Sequence, residues 1–204
     1  MTESGYIGLG MTGASGAQYG LRLLEVLVAA GQRVHVVMSE PARMVINTET
    51  TLRLPSRAND CQAVLRKTYG KGPGTLEVFG KDDWFAPMAS GSNPPQAMVV
   101  CPCTTGTLGA LAAGLSRSLL ERAADVALKE NRPLIVVPRE TPFSAIHLEN
   151  MLTLNRAGAV ILPANPAFYH RPETVEDIVD FVVARILDQL GITQTLTPRW
   201  GAER

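Results

Sequence analysis

The start of the chain limits the fold more than any other segment. Residues 5–10 (GYIGLG) are a short apolar run that breaks at once into a glycine-rich turn, Thr12-Gly13-Ala14-Ser15-Gly16. Tyr19, Leu23, Leu24 and Leu27 follow at helical spacing, and Gly31 stands where that helix should stop. Residues 33–38 (RVHVVM) form a β-branched run. A strand, a turn, a helix and a second strand within roughly 30 residues make a βαβ unit, which calls for a parallel sheet.

The rest of the chain continues the pattern. A helix is expected over 40–49. The stretch 54–95 is rich in glycine and proline, and reads as loops around a helix at 60–69 and a strand at 75–79. Strands are then expected at 97–101, 134–138 and 160–163, with helices at 105–113, 118–131, 144–157 and 174–190. The expected fold is α/β: one domain over 1–191, a three-layer doubly wound parallel sheet, then an aperiodic C-terminal tail over 192–204 that carries Trp200. At 204 residues and 46% apolar, the chain can bury such a core. A net charge of zero argues against general nucleic-acid binding, which needs a basic surplus. The N-terminus lacks the basic and apolar regions of a signal peptide, and no apolar run approaches the ~20 residues of a membrane span. Three cysteines (Cys61, Cys101 and Cys103) without a secretion signal suit a reducing cytosol, so a cytoplasmic protein is expected.

In an open parallel sheet, ligands bind beyond the carboxyl ends of the strands. Three strand ends carry the informative residues. At the first, Gly8, Gly10 and Gly13 match G-x-G-x-x-G, but Gly8 lies inside the strand and the turn itself is 12–16. The second strand ends in Ser39, with no acid in place for a dinucleotide ribose. Hydroxyls and N–H groups at a helix start suit the terminal phosphate of a mononucleotide; a turn needed for packing alone is the other reading. At the second strand end, Cys101-Pro102-Cys103-Thr104-Thr105-Gly106-Thr107 also opens a helix. His35, His147 and His170 are scattered, so buried strand-end cysteines are expected there and no metal. At the third, Arg139 and Glu140 either bind a phosphate and move a proton or form an ion pair that caps the next helix. Arg122 and Lys129 are two helical turns apart, with Asp125 between them, and Arg185 sits among apolar neighbours.

The motifs Gly10-Met11-Thr12-Gly13-Ala14-Ser15-Gly16, Ala89-Ser90-Gly91-Ser92, Cys103-Thr104-Thr105-Gly106-Thr107, Pro138-Arg139-Glu140-Thr141-Pro142 and Pro166-Ala167-Phe168-Tyr169 occur in this order. Together they resemble the UbiX flavin prenyltransferase family over residues 6–190. The resemblance implies a Rossmann/flavodoxin-like fold and a high-order homo-oligomer, a dodecamer, with FMN bound at a subunit interface. It implies transfer of a dimethylallyl group from dimethylallyl monophosphate to N5 and C6 of reduced FMN, without a metal. The product would be the cofactor of a UbiD-type decarboxylase. FMN contacts are implied at Gly13, Ala14, Ser15, Ser39, Thr104, Thr105, Gly106, Thr107 and Arg139. Prenyl-phosphate contacts are implied at Tyr169 and Arg185, helped by Ser90, Gly91, Arg122, Lys129 and Arg139. Glu140, Glu49, Lys129, Ser15 and Tyr169 stand as the catalytic groups, with Glu140 as the acid/base.

The inventory suits that chemistry. Cations and a phenol can stabilise a departing phosphate in a water-poor site. Trp84 is the candidate aromatic face for an allylic cation, and Trp200 a candidate lid. The rival readings are an FMN-dependent decarboxylase of the cysteine-decarboxylase group and a flavin carrier without activity. The first is disfavoured because the loop at 102–107 lacks that group's Pro-Ala-Ser-Ala-Asn-Thr motif and the first helix has no histidine. A carrier would not need a second, cationic pocket.

Overall fold

The computed structural model describes residues 5–201. Its six strands are β1 (Ile7–Met11), β2 (Arg33–Met38), β3 (Thr75–Phe79), β4 (Ala97–Cys103), β5 (Leu134–Pro138) and β6 (Val160–Ile161). All are parallel, in the order β3-β2-β1-β4-β5-β6. The order reverses between β1 and β4, so the topological switch point lies between the first two glycine-rich turns. The α/β class, the single parallel sheet and the three layers are as expected. β1, β4 and β5 are buried along their whole length, whereas edge strand β3 alternates.

The helices are α1 (Ala17–Ala29), α2 (Glu40–Glu49), α3 (Ala58–Tyr69), α4 (Thr105–Ala112), α5 (Leu119–Lys129), α6 (Ala145–Arg156) and α7 (Val175–Gln189). Hydroxyl caps set most of their starts: Ser39, Thr104, Ser118, Ser144 and Thr174 each accept a backbone N–H from the first turn. Gly31 follows α1 with a φ of 78°, a left-handed stop that favours glycine. One core cluster packs α1, α3 and α7 on one face of the sheet through Leu23, Leu24, Leu65, Val183 and Ile186. The other packs α4, α5 and α6 on the opposite face through Leu108, Leu119, Ala123 and Leu154. A 3-10 turn at Pro87–Ala89 interrupts the loops between β3 and β4.

Three strands differ from expectation in their bounds, β1 by running over Ile7–Met11 rather than 5–10. β4 runs to Cys103, two residues beyond the expected end, because the ladder to β5 shifts register between Val100 and Cys103 and so passes Pro102. β6 is only two residues long, although Leu162 and Ala164 beyond it still donate their N–H groups to the Val136 and Pro138 carbonyls of β5.

Candidate active site

Three carboxyl-edge turns meet at the switch point, and Thr12 stitches two of them. Its N–H and its hydroxyl both donate to the Pro102 carbonyl, at 3.1 and 2.9 Å, and its Oγ1 accepts from the Thr104 N–H at 2.7 Å. The third turn joins through Arg139. Its N–H donates to the Cys103 carbonyl at 3.3 Å and its Nε to the Ser15 carbonyl at 2.9 Å. Ser15, Thr104 and Arg139 are thereby held together from three different strand ends. Thr12 is a positioning residue that the sequence reading did not single out. The signal for it was a hydroxyl at the first position past a buried strand.

At the start of α4, Thr104 accepts the Thr107 N–H at 3.1 Å, and the two hydroxyls lie 3.0 Å apart. The N–H groups of Thr105 and Gly106 belong to the first turn, where no intrahelical acceptor exists. A Cβ on Gly106 would meet nothing within 4 Å, so the space beside this turn is open. At the positive end of a helix, that arrangement suits an anion.

The start of α1 is arranged differently. Gly16 and Ala17 donate their N–H groups to the Glu49 carboxylate at 2.9 and 3.1 Å. The turn and the first residue of α1 therefore do not offer those two donors to a phosphate, as the turn alone had suggested. Glu49, on the last turn of α2, reaches them first. Burial pushes the Glu49 carboxyl upward, but the Ser15 hydroxyl, the two N–H groups and the Arg139 charge outweigh it and hold the group below its ordinary value. Gly13 packs so closely on Pro41 that a Cβ would collide with it, and Ala14 is buried beside it. The Ser39 N–H donates to the Met11 carbonyl and its hydroxyl caps α2, at 3.0 and 3.1 Å. Thr12, Ser39 and Thr107 line a cleft of about 250 Å³ with Pro41, Lys81 and Leu120.

Glu140 accepts the Thr141 N–H at 3.1 Å, and no Arg139–Glu140 ion pair forms among the described residues. Ser144, rather than that pair, caps the next helix. Tyr169 stacks edge-on against Trp200 and Phe181, with ring centroids 4.9 and 6.0 Å apart. Arg185 donates to Asp188 at 2.6 Å, and Arg199 lies 3.6 Å from the same carboxylate. The tail therefore lies along α7, over Tyr169 and beside Arg185. Trp84 is half-exposed in the loop after β3, whose Lys81 carbonyl accepts the Leu119 N–H at the start of α5.

The remaining candidates lie elsewhere. Lys129 ends α5 and pairs with Glu130, and a Cβ on Gly91 would strike both side chains. Ser90 precedes Gly91 in a segment tied to the start of β1: Tyr6 donates its hydroxyl to the Asn93 carbonyl at 2.7 Å and accepts the Gln96 N–H at 2.8 Å. Ser90, Gly91 and Lys129 thus sit at the amino edge of the sheet, a strand length of about 16 Å from the carboxyl-edge turns. Arg122 lies between the two edges, donating to the Ala89 carbonyl at 3.0 Å and to Asp125 at 2.7 Å. One chain does not gather all the expected phosphate-binding cations. Cys101 and Cys103 are buried, which pushes the Cys103 thiol up to about 12 and the Cys101 thiol higher still. Among the described residues, no cluster of histidine, cysteine and carboxylate groups could hold a metal ion.

A family model described as Flavoprotein matches residues 1–187. The flavin prenyltransferase UbiX of Pseudomonas aeruginosa is 60% identical, covering 97% of this chain and 94% of that protein. The chain belongs to the UbiX flavin prenyltransferase family. Solved UbiX structures agree in fold. A dodecameric FMN-dependent UbiX-like decarboxylase from Escherichia coli O157:H7 superposes with a TM-score of 0.84 at 42% identity, covering 97% of this chain and 100% of that one. AnUbiX in complex with FMN and dimethylallyl pyrophosphate superposes with a TM-score of 0.86 at 38% identity, covering 99% of this chain and all of that one.

Proposed function

We propose that this chain is a flavin prenyltransferase, joining the dimethylallyl group of dimethylallyl monophosphate to N5 and C6 of reduced FMN. The observation that carries this reading is the convergence of Ser15, Arg139 and the open first turn of α4 at the switch point of a UbiX-family fold. That donor set fits the phosphate and ribityl hydroxyls of a mononucleotide: N–H groups, the hydroxyls of Thr104, Thr107 and Ser39, and one guanidinium.

FMN, as substrate, supplies the nucleophilic nitrogen and the aromatic carbon that are alkylated. Residues 13–15, Ser39, 104–107 and Arg139 bind and orient it. Tyr169 and Arg185 hold the prenyl phosphate, and the charges of Arg139 and Arg185 stabilise it as the allylic C–O bond breaks. Trp84 and Trp200 shelter the allylic group from water. The N5 proton leaves with the departing phosphate, and Glu140, as acid and then base, delivers a proton to the prenyl double bond as the bond to C6 forms and takes back the proton lost from C6. Ser15 and Glu49, hydroxyl against ionised carboxylate, are placed to pass a proton onward.

The site is completed by a second copy. A cleft of about 250 Å³ is small beside the ~300–1,000 Å³ of ordinary ligand sites. Ser90, Gly91 and Lys129 are remote from it within one chain. We place them, with Arg122, in the site of a neighbouring subunit of a homo-oligomer, a dodecamer as in the E. coli UbiX-like protein. Ile146, Leu148 and Leu152 on α6 are exposed apolar groups that such an assembly would cover. No helix of the described residues is long and apolar enough to cross a membrane. The reading places the enzyme in the cytoplasm, delivering its product to a UbiD-type decarboxylase.

The two-pocket arrangement is tested with Tyr169→Phe and Arg185→Ala. Each should raise KM for dimethylallyl monophosphate about tenfold and leave FMN affinity unchanged, measured by anaerobic turnover and flavin titration. Equal loss of FMN affinity would mean that the second pocket is misplaced.

A further inference from the structure

At the amino edge of the sheet, opposite the catalytic turns, lies a cavity of about 310 Å³ that the reaction does not use. Tyr6, Arg33, Asn93, Gln96 and Arg132 supply its polar wall, with His35 behind it, and no carboxylate lines it. His35 is fully buried, and neither ring nitrogen has a hydrogen-bond partner. Its ring stacks on Tyr6 with centroids 3.9 Å apart, which fixes its orientation. Glu77 stands outside the cavity, 3.3 Å from His35 Nε2 but without the geometry of a hydrogen bond, and 3.7 Å from Arg33. Arg132 has no ion-pair partner among the described residues.

We infer that this cavity is a binding site for a small oxyanion, of which inorganic phosphate is the representative. Two guanidiniums against the single nearby carboxylate leave a net positive charge at the mouth. Guanidinium forks match the oxygen geometry of phosphate and carboxylate alike. The Gln96 amide adds a neutral donor. The His35 imidazole, kept uncharged by burial with its pKa lowered to about 4, stands behind this wall and sets no charge against an anion. Water alone could fill the space, but it would leave the Arg132 guanidinium without a counter-charge and Arg33 with only its 3.7 Å contact to Glu77. The site is distinct from the switch-point cleft, and none of its residues was assigned to flavin or prenyl phosphate. Pro87, Asn93 and Pro94 form its rim, from the same segment that carries Ser90 and Gly91.

The test is equilibrium dialysis of radiolabelled inorganic phosphate against the FMN-loaded oligomer, comparing the wild type with Arg33→Gln/Arg132→Gln. Arg185→Ala, in the background of each, removes the phosphate contact proposed at the catalytic site. The expected result is one phosphate per chain that survives Arg185→Ala. The arginine pair variant should lose it by tenfold or more in affinity while keeping its flavin and melting temperature. In the wild type, phosphate should also shift the His35 ring resonances. Unchanged phosphate stoichiometry in the folded pair variant would overturn the inference. So would binding that chloride abolishes at equal ionic strength, because that is screening of surface charge rather than a site.

Discussion

At the residue scale, Glu49 performs a structural task that its place in the sequence hides. It answers the N–H groups at the start of α1 from 32 and 33 positions away. Replacing it by alanine removes a charged cap, and should lower stability by about 1 kcal/mol in urea denaturation at pH 7. The sign with pH follows from its depressed pKa. The contribution is fully present above the 4.5 of a free glutamate and is lost as pH falls through the lower value in the folded chain. The gap between wild type and Glu49→Ala should therefore close as the pH is taken below 4.5, and a gap that is independent of pH would rule out the charge as its source. Glu140 is different, since its carboxylate contacts only its own loop. Glu140→Gln should keep FMN binding and slow adduct formation at least 100-fold in anaerobic turnover, the usual contribution of a positioned acid/base. Ser15 and Arg139 were visible as residues of interest because each follows a strand. That they touch was not visible, because the contact joins positions 124 apart through the packing of β1, β4 and β5.

At the element scale, the site depends on the first turn of α4 and on its attachment to β1. Thr12→Val keeps the shape of the side chain but strands the buried Thr104 N–H and removes a hydrogen bond to the Pro102 carbonyl. The expected cost is about 1–3 kcal/mol, read from the denaturation midpoint, with weakened FMN binding because the turn loosens. A stable variant with normal FMN affinity would show that the stitch does not matter. The elements themselves were legible. Apolar runs bounded by glycine or proline mark the strands, and Ser or Thr caps mark most of the helix starts. What the pattern could not show was β4 continuing past Pro102, since a proline inside a strand normally ends it. The collection of Glu49 by α1 was equally hidden, because a local reading sees an open turn and not a distant helix end.

At the scale of the whole molecule, the parallel sheet and its switch point were legible from the alternation of strands and helices alone. The division of the site was not. Seven cations and polar groups read as one phosphate pocket in the sequence, but Ser90, Gly91 and Lys129 fall at the opposite edge of the sheet from Arg139. A periodic pattern reports which face of an element is buried, not which residues a neighbouring subunit presents. If two copies share each site, Lys129→Ala and Arg139→Ala damage different halves. Each should be inactive alone, and mixed oligomers reassembled from both should recover a measurable fraction of wild-type turnover. No recovery in verified mixed assemblies would place both residues in one chain's site. The central claim, prenyl transfer to the flavin, is tested most directly by incubating the protein anaerobically with reduced FMN and dimethylallyl monophosphate, then weighing the extracted flavin. The account predicts a flavin heavier by one C5H8 unit. Unmodified FMN from folded, flavin-loaded protein would contradict it.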